Sequence, residues 1–149
     1  MTTDLPVLNG LLGRAISIAA DAHKNQTDKL GKPYILHPIQ VMLKMQTEEE
    51  MIVAVLHDVL EDTDLDVEVL KLCFSPAIVE AVLAITKRKE ERNIDYLARV
   101  KENPLALRVK LRDIEHNSAP ERLHGLSYGE QEYLSSKLRD ALDFLEDRI

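Results

Sequence analysis

His57 and Asp58 stand side by side in the stretch VAVLHDVLEDT, residues 53–63, with Glu61 and Asp62 one helical turn further on. At a spacing of four, His57 shares a helix face with Glu61, and Asp58 with Asp62. Residues 51–56, just before them, are all apolar, so the polar quartet emerges from the end of a buried helix. One imidazole and three carboxyls in an apolar frame are costly unless a cation or dense hydrogen bonding compensates. A divalent metal ion meets that need. His37, at a loop-to-helix junction, and Asp113, inside a later helix, would make a mixed nitrogen and oxygen site with His57 and Asp58. Such donors suit Mn²⁺, Fe²⁺ or Zn²⁺ better than Mg²⁺ or Ca²⁺. Taken alone, His37 reads more readily as a structural histidine.

Glu61 and Asp62 can position a water beside such a metal and take its proton. The competing reading is a pair of solvated acids, because Asp64 and Asp66 continue the acidic run. A second polar cluster is KLRDIEHN, residues 110–117, where Asp113 and Asn117 share a face and Lys110 lies three residues before Asp113. Asn117 either terminates its helix or offers its amide to a substrate hydroxyl or phosphate. His116, His23 and His124 read as structural. Lys24, Lys29 and Lys32 precede His37, and Lys87, Arg88 and Lys89 form a second basic run. Local cations in an acidic chain fit an anionic substrate, though each lysine singly also reads as solvated surface.

The elements that must carry these residues are helical. Apolar residues recur at Leu8, Leu11, Leu12, Ala15, Ile18, Ala19 and Ala22, predicting a helix over residues 5–25. Gly31 and Pro33 make residues 26–36 a polar loop, and His37-Pro38 opens a helix with Ile39, Val41, Met42 and Met45 inward. Thr47 with Glu50 is a capping box for the helix that carries His57. Residues 62–66 form a turn and 67–74 a short helix. Ser75-Pro76 opens a helix with Ile78, Val79, Val82, Leu83 and Ile85 on its core face. Residues 86–92 are a charged break and 93–101 a helix, and Asn103-Pro104 opens another to Asn117. Residues 118–125 read as a loop, and Ser127 with Glu130 caps a last helix over about 127–148. No alternating strand pattern of useful length occurs. The fold class is all-α, a compact single-domain bundle of six to eight helices over residues 1–149.

Composition narrows the function. The formal charge of −7 disfavours a nucleic-acid backbone as partner, and six aromatics without tryptophan give no stacking platform. No apolar run reaches the length of a membrane span, and residues 1–9 lack the features of a secretory signal, so a cytoplasmic protein without membrane contact is expected. Cys73, the one cysteine, reads as buried packing.

The order His37, His57-Asp58, Asp113 resembles the HD-domain phosphohydrolase superfamily. AHKNQTDKLGKPYILHP (residues 22–38), LHDVLEDT (56–63) and VKLRDIEHN (109–117) are similar to the hydrolase domain of the RelA/SpoT family and to its stand-alone small alarmone hydrolases, over about residues 15–117. The resemblance implies an HD-type bundle with a single Mn²⁺ held by His37, His57, Asp58 and Asp113. It makes Glu61 and Asp62 the acids that position and activate water. It places Asn117 at the ribose and phosphate region of a phosphorylated nucleotide, and Lys29 near the nucleotide. The implied reaction removes the 3′-diphosphate of guanosine tetra- or pentaphosphate as pyrophosphate. Residues 61–112 contain no histidine, which favours one metal over two. With about thirty residues after Asn117, no synthetase domain is expected.

Three departures accompany the resemblance. Asp28 stands where the family carries an arginine that stacks on guanine, the arginine that follows the last metal ligand is replaced by Ile114, and the loop over residues 87–92 is short. They keep two alternatives in view: an HD hydrolase of another nucleotide or phosphorylated metabolite, and a low-activity nucleotide-binding regulatory module. Oligomeric state is not legible in the sequence.

Overall fold

The structure, a computed structural model, describes residues 10–147. Ten helical segments follow one another: α1 Leu11–Ala22, α2 Leu36–Leu43, α3 Glu48–Leu56, α4 Val59–Asp62, α5 Val67–Cys73, α6 Pro76–Ile85, α7 Asn93–Glu102, α8 Pro104–Asn117, α9 Pro120–Leu123 and α10 Tyr128–Leu145. Eight of these have seven residues or more, and α4 and α9 are single turns. No strand occurs among the described residues, only an isolated bridge between Thr27 and Pro33. The all-α expectation holds.

α3 is the axis of the bundle. Its run IVAVL is buried on every side, so it reads as a core helix rather than an amphipathic one. α1, α2, α6 and α8 surround it. At about 1.5–3 kcal/mol for each large aliphatic side chain removed from water, Ile52, Val53, Val55 and Leu56 fix the position of the residue that follows them, His57. The start of α3 is equally determined. Thr47 accepts from the Glu50 backbone N–H, and Glu50 accepts in return from the N–H of Thr47 and Gln46. Caps also stand where the sequence puts them at Ser75, Asn103 and Ser127.

Several expectations shift. Helix α1 begins at Leu11; the start expected at residue 5, and Leu8 with it, lie outside the described residues. α3 does not run on through the acidic quartet. It ends at His57, whose Nδ1 bonds the Ala54 carbonyl, and the chain restarts as α4 after Asp58. The loop expected over residues 118–125 contains α9, with Pro120 at its first position. Leu83 is 42% exposed, because α6 turns Ala81 and Ala84 inward with Ile78, Val82 and Ile85. Cys73 is half-buried, not buried, with Arg14 Nη1 3.9 Å from its sulfur. α10, whose role the sequence leaves open, packs along α7 and α8.

Candidate active site

Four elements deliver the polar cluster. α2 brings His37 on its first turn, the end of α3 brings His57, the α3–α4 junction brings Asp58, and the middle of α8 brings Asp113. His37 and His57 are 2% exposed and Asp113 4%, so all three sit inside the protein. His37 Nε2 lies 2.8 Å from Asp113 Oδ1, and His57 Nε2 lies 3.1 Å from that same oxygen. Ligand atoms of His37, His57 and Asp113 all fall within 4.8 Å of one another, a set that could hold a metal ion. Asp58 joins from one side, its Oδ2 3.1 Å from His57 Nε2 and 3.9 Å from His37 Nε2.

The other ring nitrogens are already engaged. His57 Nδ1 faces the Ala54 carbonyl at 2.6 Å and must donate to it, which leaves Nε2 as a lone pair in the neutral ring. His37 Nδ1 is 2.7 Å from His116 Nδ1. Burial, and then the neighbouring His37, hold His116 down at about 4, so His116 is neutral and can accept a hydrogen bond from His37 Nδ1–H. Both histidines thus point Nε2 at the carboxylate oxygens of Asp58 and Asp113, where a proton bridges the contact and a bound cation would replace it. Donors of this kind, oriented by partners behind them, fit a divalent cation.

The electrostatics agree. Burial pushes His57 down, but the Asp58 and Asp113 charges outweigh it and raise the imidazole well above its usual range. Burial works against the Asp113 charge, yet Lys110 and His57 hold that carboxyl well below the usual range. Lys110 Nζ is 3.0 Å from Asp113 Oδ2, and Asn117 Nδ2 donates to Asp113 Oδ1 at 3.2 Å. Asp58, though desolvated, is lowered to about 2, chiefly by His57.

Tyr34 is a participant that spacing does not reveal. Its hydroxyl donates to Asp58 Oδ2 at 2.5 Å, and its ring packs between His23 and His37. The carboxylate it touches, with burial, drives its own pKa far upward, so it remains a donor. His116 was read as a hydrogen-bonded structural residue. That reading stands, and its partner is His37.

This cluster floors a cavity of about 350 Å³ whose walls include Glu61, Asp62, Lys87 and Lys137. Glu61 Oε1 accepts from the Lys87 backbone N–H at 3.0 Å. Desolvation, Asp58 and Glu61 together push Asp62 up to about 6. Of the loop lysines, Lys87 lines this cavity, and Lys29 lines a second one of about 380 Å³. Tyr34, Asn117, Leu134 and Leu138 belong to both cavities, so the two adjoin.

A guanosine-3′,5′-bis(diphosphate) 3′-pyrophosphohydrolase of Aquifex aeolicus (strain VF5) is 36% identical over 112 residues, covering 67% of this chain and 16% of that protein. A probable enzyme of the same name from Synechocystis sp. is 32% identical over 155 residues, 93% of this chain and 20% of that protein. The bifunctional (p)ppGpp synthase/hydrolase SpoT of Escherichia coli (strain K12) is 36% identical over 80 residues, 51% of this chain and 11% of that protein. The chain therefore spans a fifth or less of the length of these curated relatives. Among solved structures, a metazoan ortholog of SpoT described as hydrolysing ppGpp shares the fold, with a TM-score of 0.75, 24% identity and coverage of 91% of this chain and 85% of that one. The family model described as HD domain matches residues 15–114, a span that holds His37, His57, Asp58 and Asp113, and by that match the chain belongs to the HD-domain family.

Proposed function

We propose that this chain is a metal-dependent pyrophosphohydrolase that removes the 3′-diphosphate of guanosine 3′,5′-bis(diphosphate). The HD domain implies a divalent metal. Our reading gives it His37, His57, Asp58 and Asp113 as ligands and Mn²⁺ as its identity. The observation that carries this reading is the convergence of two imidazole Nε2 atoms on the Asp113 and Asp58 oxygens, at the floor of a cavity with acids and lysines on its walls. The names of the curated relatives support the substrate.

When bound, the metal supplies Lewis acidity, which polarises a phosphoryl oxygen and lowers the pKa of water. The protein's own groups do the remainder. Asp62, poised at about 6, is ionised at neutral pH and takes the proton of the attacking water. Glu61, pinned to the Lys87 amide, orients that water. The water oxygen bonds to the phosphorus attached to the 3′ oxygen. The bond from phosphorus to the 3′ oxygen breaks, the 3′ oxygen takes up a proton, and GDP and pyrophosphate result. Lys87 and Lys137, on the cavity wall, face the diphosphate charge. Asn117, between the two cavities, and Lys29, in the second, contact the rest of the nucleotide.

Pyrophosphate release from guanosine tetraphosphate, with and without Mn²⁺ and beside GTP and ATP, tests the proposal. Mn²⁺-dependent release from the tetraphosphate alone is expected. Turnover of another substrate in its place overturns the specificity, and no turnover of any while metal is bound overturns the enzyme reading.

A further inference from the structure

The second cavity is built unlike the first. Leu30, Leu126, Leu134 and Leu138 give it apolar walls, which favour a flat, weakly polar group over a phosphate. Charged groups interrupt them at Lys29 and at the pair Asp28 and Arg122. Asp28 is occupied in shaping its loop, its Oδ1 accepting from the backbone N–H of Leu30 at 2.9 Å and of Lys32 at 3.0 Å. Those two bonds close the tight turn in which Gly31 takes a φ of +81°. Its Oδ2 is left facing Arg122 Nη1 at 3.9 Å.

Arg122 comes from α9, and its side chain is only 21% exposed. Nη2 donates to Asn117 Oδ1 at 3.0 Å, and Asn117 Nδ2 in turn donates to Asp113. The guanidinium is thereby held in place. Among the described residues that is its only hydrogen bond shown, against five N–H donors in a rigid plane. A planar fork with spare donors, fixed in an apolar slot beside the metal cluster, matches an edge that carries two adjacent acceptors. Guanine presents such an edge in O6 and N7, whereas adenine places an amino donor beside its N7.

Resting on the proposed nucleotide substrate, we propose that Arg122 is a specificity-determining residue that reads the O6 and N7 edge of a guanine seated between Leu30, Leu126, Leu134 and Leu138. Asp28 sets the loop and restrains the guanidinium, and the Arg122–Asn117–Asp113 chain ties the occupied slot to the metal cluster. The ligand class is a guanine nucleotide, and an adenine nucleotide is rejected because its amino group would face a guanidinium donor.

Calorimetric titration of the metal-loaded protein with GDP and with ADP tests this without any turnover. Wild-type protein is expected to prefer GDP by about 10- to 100-fold, the discrimination typical of a bidentate arginine–guanine pair. Arg122→Ala, titrated at saturating metal, should bring the two affinities within about twofold. Arg122→Lys, which keeps the charge but loses the fork, should recover little of the preference. Thermal melts confirm that each variant is folded. If Arg122→Ala does not fold, Arg122→Lys alone decides. A GDP preference that survives in the variant, or a wild-type protein that prefers ADP or binds neither, overturns the inference. Hydrolysis of guanosine tetraphosphate can hold while this preference fails, and the preference can hold while turnover is absent, so the two proposals fail separately.

Discussion

Replacing Tyr34 by Phe removes one oxygen from the site and nothing else. The ring keeps its packing against His23 and His37, with centroids 5.1 and 5.8 Å away. The loss is the hydroxyl bond to Asp58 Oδ2, whose 2.5 Å length is that of a charge-assisted O–H···O⁻ bond. Such bonds to charged groups are worth roughly 1.5–3 kcal/mol. Asp58 also faces His57 at 3.1 Å, so it remains near the cluster but loses the contact that fixes its direction. On the binding equilibrium, 1.5–3 kcal/mol corresponds to about 10- to 150-fold. Removal of a residue that orients a metal ligand typically costs about 10- to 100-fold in metal affinity or activity, an independent figure of the same size. Competition of Mn²⁺ between the protein and a fluorescent chelator measures the affinity directly. Tyr34→Phe should weaken it by about 10- to 100-fold, while saturating Mn²⁺ should restore most of the turnover. An affinity within twofold of wild type would show that Asp58 does not need Tyr34 or is not a ligand. Asp58→Ala separates those two cases, because a true ligand loses metal in that variant.

The acids on the cavity wall differ in expected effect. Asp62→Asn should lower kcat by about 10²- to 10⁴-fold with metal retained. In the wild type, activity should rise with pH over the range up to about 6, since a bound cation offsets the Asp58 charge that raises Asp62, and that limb should vanish in the variant. Glu61→Gln can still accept from the Lys87 amide, so a smaller loss than for Asp62→Asn is expected in the same kcat measurement. Far from the site, Glu50 is held below the usual carboxylate range: burial opposes this, and the Gln46 N–H, Arg108 and the Thr47 N–H outweigh it. A depressed folded value contributes stability above the unfolded value of about 4.3, lost as pH falls through the folded one. With Arg108 half-exposed, Glu50→Gln should cost about 0.5–1 kcal/mol in urea melts at pH 7, and the cost should shrink as pH falls below the unfolded value of about 4.3.

The parts of this protein that were legible in the sequence are those whose cause is local. Thr47 and Glu50, or Ser127 and Glu130, declare a helix start within four residues because a cap is a bond between near neighbours. His57 and Asp58 declare themselves because their oddity is to follow an apolar run directly. Helical spacing places Leu83 on the core face beside Val79 and Val82, but the inward arc is set by the neighbours α6 meets, α3, α7 and α8 among them, and it is Ala81 and Ala84 that are buried. The break between α3 and α4 was hidden because His57 satisfies the Ala54 carbonyl with a side chain, an exchange that no period records. Tyr34 lies 24 positions from Asp58, and His116 lies 79 from His37. The one local hint was that both stand within three residues of a candidate ligand. α9 carried the proline signal used at Ser75 and Asn103, but with Ala119 at the cap it lacked a side chain to announce it.

That last omission bears on the position where the chain departs from its family resemblance. Asp28 looks like a loss when only its own position is considered, a carboxylate where a cation is expected. In the fold it lies opposite Arg122, so the neighbourhood keeps a guanidinium delivered from another element. The buried polar cluster and this cation also sit on different parts of the chain. His37, His57, Asp58 and Asp113 fall inside the matched HD span, whereas Arg122, Leu126, Leu134 and Leu138 all follow it. The cluster is fixed by the burial of α3 and α8, and a change there leaves charges unpaired inside the protein. A change at Leu126, Leu134 or Leu138 alters the wall of a cavity and unpairs no charge. The two sets are under different physical constraints, so the second can vary while the chemistry of the first persists.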